Sequence, residues 1–385
     1  MAAVATAPDT PLGTLPTEAA AYFEPFALPA SNQRQLSAPH APGSVAPLAL
    51  RPSKEITLDE AVSTISNLQK TGVLTSLLSQ HGALLFRGVP VRNPADFSRF
   101  AHAFGYAPHE IIGLVVERGE LAPNVSPANE SSKETLIFNH NESPQVPHAP
   151  EYIFFYGHRA PKEGGETPVS SSLELFRRAQ EEIPEFIEQL GKRGVRSSVT
   201  YKRGRQYAGG TTMQQAFGKE WAEDDDEETK RRKVEDQIRR YGRGEDTTWE
   251  WTDDGGVIVT HILPAIRTQP GTGLPVLFTG LAAYYRNLVV NGKQRYGVSQ
   301  TYGDGEPIPE EYIKRLAEIT DEITVLHKWQ EGDLLVYDNV ITQHGRHPWK
   351  GEQSDRVVYA SLFDGEAPGA YGPQSWAKSV KALDG

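Results

Sequence analysis

Three residues of this 385-residue chain are best placed to do chemistry together: His140, Glu142 and, about two hundred positions later, His344. Along an extended strand the side chains alternate, so residues two apart share a face. His140 and Glu142 could therefore reach one ion from a single strand, whereas on a helix they would point about 200° apart. A histidine delivered by a distant strand would complete a set of two imidazoles and one carboxylate. That set suits non-haem Fe(II) and leaves coordination positions open for a cosubstrate and for oxygen. An ordinary surface pair on a strand would also spell H-x-E, and the chain has eleven histidines. The weight comes from the surroundings.

After Glu142 come the apolar stretch Tyr152-Ile153-Phe154-Phe155-Tyr156 and then Glu163-Gly164-Gly165-Glu166-Thr167. Later, Gly332-Asp333-Leu334-Leu335-Val336-Tyr337-Asp338-Asn339 leads through Gln343 to His344-Gly345-Arg346. Arg356, twelve positions past His344, opens the run Val357-Val358-Tyr359-Ala360-Ser361-Leu362. In this order, from about Leu84 to Leu362, the pieces resemble the Fe(II)/2-oxoglutarate-dependent dioxygenases of the TauD/TfdA superfamily, on its clavaminate-synthase-like side. The segment Pro264-Ala265-Ile266-Arg267-Thr268-Gln269-Pro270-Gly271-Thr272-Gly273 resembles the strand and turn before the substrate-side strand of taurine-dioxygenase-like members.

The resemblance implies that His140, Glu142 and His344 bind iron and that 2-oxoglutarate chelates it. The far carboxylate of the cosubstrate needs a fixed cation, and the planar fork of arginine binds carboxylate through two parallel hydrogen bonds. Arg356 matches the family position for that role, and Thr167 matches the hydroxyl that assists it. Arg346 could serve the substrate or the surroundings of the metal. Gln145, Arg205, Arg267 and Phe278 are candidates for the substrate pocket.

Two departures narrow the chemistry. Taurine-dioxygenase-like members carry a second arginine four residues past the cosubstrate arginine, where it meets the substrate sulfonate; here that position is Ala360. Halogenating relatives replace the acidic ligand with a small residue, and Glu142 occupies that position here.

Composition fits a cytoplasmic enzyme. The chain is long enough for a large core and one catalytic domain. A net charge of −11 disfavours nucleic acid, whose phosphates need a basic face. Without any cysteine there are no disulfides, zinc–thiolate sites or thiol nucleophiles. No segment reaches the roughly 18 apolar residues of a membrane span, and neither a secretory leader nor a transit peptide is recognisable. The expected partner is a small-molecule substrate; homodimerisation is left open.

Residues 1–52, rich in Ala and Pro, suggest an extended or partly disordered arm, with a single catalytic domain over residues 53–385. Thr57-Leu58-Asp59-Glu60 makes a capping box opening a helix that runs towards Gln80. Ala83–Phe86 is a short buried strand, and Asn93-Pro94 opens a second helix ending at Gly105. A helical or lid-like insertion is expected around residues 173–250, with helices over Leu173–Gly191 and within the charge run Glu223–Arg240. Strands are expected at Gly256–Ile262, Val276–Thr279, Thr324–Lys328, Asp333–Tyr337, Ile341–Gly345 and Arg356–Phe363. Short strands between Gly, Asp and Pro turns point to a mainly β fold with flanking helices (α+β). The resemblance makes it a double-stranded β-helix, or jelly roll, with helical insertions. His102, His109, His148, His158, His261, His327 and His347 read as structural or surface residues.

By resemblance, the chain couples decarboxylation of 2-oxoglutarate by O2 to oxidation of a C–H bond, releasing succinate and CO2. The outcome is hydroxylation, desaturation or ring closure, and the leading substrate is an amino acid or amino-acid derivative. Alternatives are an oxygenase tailoring a larger secondary metabolite, a non-catalytic jelly-roll protein binding metal or ligand, and a zinc hydrolase. The last gives no reason for Arg356 and Thr167.

Overall fold

The computed structural model describes residues 14–113, 119–128, 131–204, 211–242, 244–270, 272–291 and 298–365. The larger of two facing sheets runs from edge to edge through Phe23–Pro25, Leu48–Pro52, Ala83–Phe86, Leu334–Asp338, Tyr152–Arg159, Val357–Asp364 and Ala107–Pro108. Ser126–Pro127 also pairs with the Val357–Asp364 strand. The smaller sheet is Val325–His327, Thr167–Ser171, Thr342–Arg346 and Ile137–His140. All pairings in both sheets are antiparallel except that of Leu48–Pro52 with Ala83–Phe86. This is a jelly-roll sandwich that does not close into a barrel.

Strand alternation explains why the central strands are apolar throughout. One set of side chains, including Leu84, Phe86, Phe154, Tyr156, Leu334 and Val336, packs outward against helices Leu58–Lys70, Val73–His81 and Pro94–His102. The alternate set, Ala83, Leu85, Ile153, Phe155, Leu335 and Tyr337, points inward to Val169, Val325 and Trp329 of the smaller sheet and its flank. A strand buried on both faces needs hydrophobic residues at every position. The inward set forms the floor under His344, whose ring lies 5.6 Å from those of both Phe155 and Tyr337.

The sequence reading needs correction in several places. The expected arm is structured well before Thr57: Leu48, Ala49 and Leu50 are buried in an interior strand of the larger sheet. The helix opened by Thr57 ends at Lys70, and a second begins at Val73, because Gly72 turns the chain at φ 75°. The expected Leu173–Gly191 helix is likewise two, Ser172–Glu182 and Pro184–Arg193. Pro184 lacks the N–H needed to continue the first helix and disfavours helical backbone at Ile183.

The largest difference concerns the insertion. Val257–Leu263, expected within the jelly roll, belongs to a separate four-stranded sheet ordered Thr247–Trp251, Val257–Leu263, Val195–Tyr201, Val298–Tyr302. The charged helix Glu227–Tyr241, capped by Asp226, lays Val234, Ile238 and Tyr241 against that sheet's apolar face. Ile266–Thr268 and Pro275–Leu277 form a two-stranded ribbon. Among the described residues no helix is long and apolar enough to cross a membrane.

Candidate metal centre

His140 ends its strand, and Asn141 and Glu142 lie just beyond it, so the motif straddles a strand end rather than sitting within a strand. Alternation nevertheless persists, because Asn141 is gripped from the opposite side. Its Nδ2 donates to the Asn339 carbonyl at 2.7 Å and to Ser172 Oγ at 3.1 Å. Its Oδ1 accepts from the Thr279 N–H at 2.8 Å and from Gln343 Nε2 at 3.3 Å. With Asn141 fixed on the opposite side, His140 and Glu142 are turned together towards His344. Ser143 then bends the chain away at a positive φ of 56°.

His344 is brought opposite by register, since the strands Thr342–Arg346 and Ile137–His140 place His344 directly across from His140. Residues some two hundred positions apart thus become cross-strand neighbours. Their rings are 4.9 Å apart between centroids. His344 Nε2 lies 3.4 Å and His140 Nε2 3.9 Å from Glu142 Oε2. All three ligand atoms fall within 4.8 Å of one another.

The donor set fits a divalent transition ion. His140 Nδ1 faces the Phe138 carbonyl at 2.8 Å, which fixes the proton there and leaves Nε2 as the lone-pair nitrogen aimed at the cluster. Glu142 is held by its backbone: its N–H donates to Asn339 Oδ1 at 2.7 Å, and its carbonyl accepts from Asn339 Nδ2 at 3.1 Å. Asn339, fully buried, also donates to the Pro150 carbonyl at 2.7 Å. Such contacts set the orientation of a ligand without touching the metal.

A second group of residues surrounds Arg356. Its guanidinium is buried, with Nε donating to the Gly165 carbonyl at 2.9 Å and Nη2 3.5 Å from Thr167 Oγ1. Trp329 Nε1 donates to Thr167 Oγ1 at 2.9 Å. Burial, with Arg346 as a neighbouring cation, holds the Arg356 pKa down to about 9. A bound carboxylate would reverse that penalty, since an opposite charge favours the ionised form. Gly165 has φ 72°, and a Cβ there would come within 3.0 Å of Arg356 Cδ. Gly165 thus leaves room for the arginine and for Pro161, while a Cβ at Gly164 would strike the Pro348 carbonyl and the Trp349 backbone.

The chain's sequence matches the family model of taurine catabolism dioxygenase TauD, TfdA family, over residues 44–361. The chain belongs to the TauD/TfdA family. It is a 2-oxoglutarate-dependent non-haem iron dioxygenase using Fe(II), 2-oxoglutarate and O2. It is similar to a clavaminate synthase-like protein of Arabidopsis thaliana, 31% identical over 292 residues, 75% of this chain and 83% of that one. It is also similar to the dapdiamide synthesis protein DdaC of Enterobacter agglomerans, 26% identical over 325 residues, 82% and 92% of the two chains. A taurine dioxygenase structure from Burkholderia xenovorans superposes with a TM-score of 0.46 at 15% identity, covering 87% of this chain and 96% of that one.

The other pocket candidates of this TauD/TfdA enzyme fall in different places. Arg267 is buried, with its guanidinium 3.7 Å from the Phe278 ring centroid. Gln145 is half-buried in the turn after Glu142. Arg346 spends its donors on the carbonyls of Ser131, Ser132 and Thr135, so it holds that loop and raises the positive charge near Arg356. Arg205 lies outside the described residues. Sequence reading missed Asn141, Asn339, Gln343 and Trp329 as positioning residues. The two asparagines stood inside quoted motifs, but nothing in their spacing tells which groups they grip.

Proposed function

We propose that this dioxygenase oxidises a C–H bond of an amino acid or amino-acid derivative, by hydroxylation, desaturation or oxidative cyclisation, with release of succinate and CO2. In this reading His140, Glu142 and His344 ligate Fe(II), while Arg356 and Thr167 anchor the far carboxylate of 2-oxoglutarate. When bound, iron and the cosubstrate supply the oxidising power; the protein binds, orients and excludes water.

The carrying observation is the Arg267–Phe278 stack. Phe278 precedes Thr279, whose N–H donates to Asn141 Oδ1, and Gly280 follows, where a Cβ would stand 3.8 Å from His140 Cβ. A buried guanidinium is thereby tied, through three consecutive residues, to the segment that carries the proposed ligands. The planar fork of that guanidinium suits a substrate carboxylate through two parallel hydrogen bonds. Ala360, buried at the family's sulfonate-arginine position, supports an amino-acid substrate over a taurine-like one.

The test is anaerobic titration of metal-free protein with Fe(II) and then 2-oxoglutarate, followed aerobically by a screen of amino acids and their derivatives for stimulated succinate release. A weak visible charge-transfer band, lost in His344→Ala, should appear first. Stimulation by amino acids, with KM raised about tenfold or more in Arg267→Ala while the band persists, is the expected second result. A band without stimulation by any of them would sink the substrate class and move a larger metabolite ahead.

A further inference from the structure

We propose that His109, His148 and Asp364 form a second site for a divalent transition ion, Zn(II) in character, separate from the iron centre. The three come from different parts of the chain. His109 follows the edge strand Ala107–Pro108, and its N–H donates to the Leu362 carbonyl at 3.0 Å. Asp364 closes the strand Val357–Asp364, and His148 lies on the segment that leads from Glu142 to the next strand.

Their side chains converge. His109 Nδ1 is 2.6 Å from Asp364 Oδ1, and His148 Nε2 is 3.4 Å from Asp364 Oδ2. The two imidazoles stack at 4.3 Å between centroids and 22° between planes, so both turn the same way towards the carboxylate. The ligand atoms lie within 4.8 Å of one another. Around a tetrahedral zinc with bonds of about 2.0–2.2 Å, neighbouring ligand atoms stand about 3.3 Å apart. The His148–Asp364 spacing already has that value, and the His109–Asp364 contact needs to open by a fraction of an ångström.

A second observation points to a ligand. His148 Nε2 is buried on a side chain only 3% exposed, and its 3.4 Å approach to Asp364 Oδ2 lacks the alignment of a hydrogen bond. A buried polar nitrogen that is not properly hydrogen-bonded calls for an explanation, and a bound ion is one of the standard ones. Asp364 is 22% exposed, leaving an approach for water at a fourth position.

Occupancy would fasten the segment after Glu142 to the end of the C-terminal core strand. Asn339 already pins that segment at Glu142 and at Pro150. The second ion would thus hold the turn carrying one iron ligand, without entering the reaction.

The experiment uses full-length protein stripped of metal, dialysed against Zn(II), with bound metal counted by mass spectrometry. Co(II) absorption serves as a second readout. The His140→Ala/His344→Ala double variant removes both imidazoles of the iron centre and should retain one equivalent of Zn(II). It should also give a tetrahedral Co(II) spectrum and a thermal midpoint that rises with Zn(II). Adding His148→Gln, or independently Asp364→Asn should the first fail to fold, should abolish all three. A double variant that binds no Zn(II) overturns the proposal. So does a residual equivalent that survives both His148→Gln and Asp364→Asn.

Discussion

At His140, Glu142 and His344 the side chains keep 25%, 33% and 8% of their surface, whereas His109 and His148, flanking a carboxylate of their own, keep 3% each. The donor atoms are the same in kind. In the first cluster the imidazoles are 4.9 Å apart and tilted, and one nitrogen of His140 is already committed to a backbone carbonyl. In the second the rings stack, and Asp364 is in hydrogen-bond contact with His109. An exposed, tilted set can exchange ligands, as catalysis requires. A set with both imidazoles buried and stacked, open only beside Asp364, is built to hold an ion. Two histidines and a carboxylate do not by themselves say which; exposure and the neighbours that orient each donor do.

Removing one donor from each cluster should break this comparison most sharply. His344→Ala should lower succinate formation at least a thousandfold while the thermal midpoint of the iron-free protein stays within a few degrees. Asp364→Ala should do the reverse. Loss of this half-buried acceptor leaves the buried His109 Nδ1 without its partner and costs about 1–3 kcal/mol, with turnover retained in the folded fraction. Equal effects on both properties from both variants would mean that the clusters are not functionally distinct.

A smaller effect is expected at the proposed cosubstrate anchor. Arg356→Ala should raise the 2-oxoglutarate KM by about a hundredfold, since a charge-assisted pair is worth about 1.5–3 kcal/mol. Fe(II) affinity should change by less than threefold. Arg356→Lys should recover only part, because an ammonium cannot copy the two-pronged geometry or the hydrogen bond to the Gly165 carbonyl. Parallel loss of iron and cosubstrate binding would remove the anchor role.

Much of the open site was legible because its chemistry is concentrated in short motifs: the alternation at His140 and Glu142, the glycine pair before Thr167, and the spacing from His344 to Arg356. The closed cluster was not. His109, His148 and Asp364 belong to no common motif, and each histidine alone reads as an ordinary core residue. The pairing of Ala107–Pro108 with the end of the Val357–Asp364 strand brings His109 to Asp364, and the segment after Glu142 delivers His148. The fold divides in the same way. Strands of the jelly roll announced themselves as apolar runs between turn residues. Val195–Tyr201, alternating between buried and exposed positions, was hidden among arginines and glycines, so its separate sheet went unseen. Local chemistry was readable, whereas long-range register was not.

Asn339 lies between the two clusters and sharpens the contrast further. Asn339→Ala would leave the Glu142 N–H and the Pro150 carbonyl without their present partners. Loss of such an orienting contact costs about 10–100-fold in metal affinity or activity. Fe(II) binding should therefore weaken by about that factor, with the 2-oxoglutarate KM far less affected. Unchanged iron affinity would show that the Glu142 turn holds itself.

The smallest effect concerns the residue beside it. Asp338 is buried, and burial pushes its carboxyl up to about 7 against the opposing hydrogen bonds from the Val340 and Ile341 N–H groups. In the unfolded chain an aspartate titrates near 4, as a rough reference. The folded state therefore binds this proton more tightly. Its contribution to stability is complete below about pH 4 and is lost as pH rises through about 7. Between those limits the slope approaches about 1.4 kcal/mol per pH unit for this single group. The iron-free protein should accordingly melt a few degrees lower at pH 8 than at pH 5.5, and Asp338→Asn, which keeps an acceptor but cannot ionise, should flatten that difference. Identical pH profiles for the two proteins would mean that the carboxyl under Asn339 is ionised throughout. The turn between the clusters would then owe its shape to the Val340 and Ile341 contacts alone.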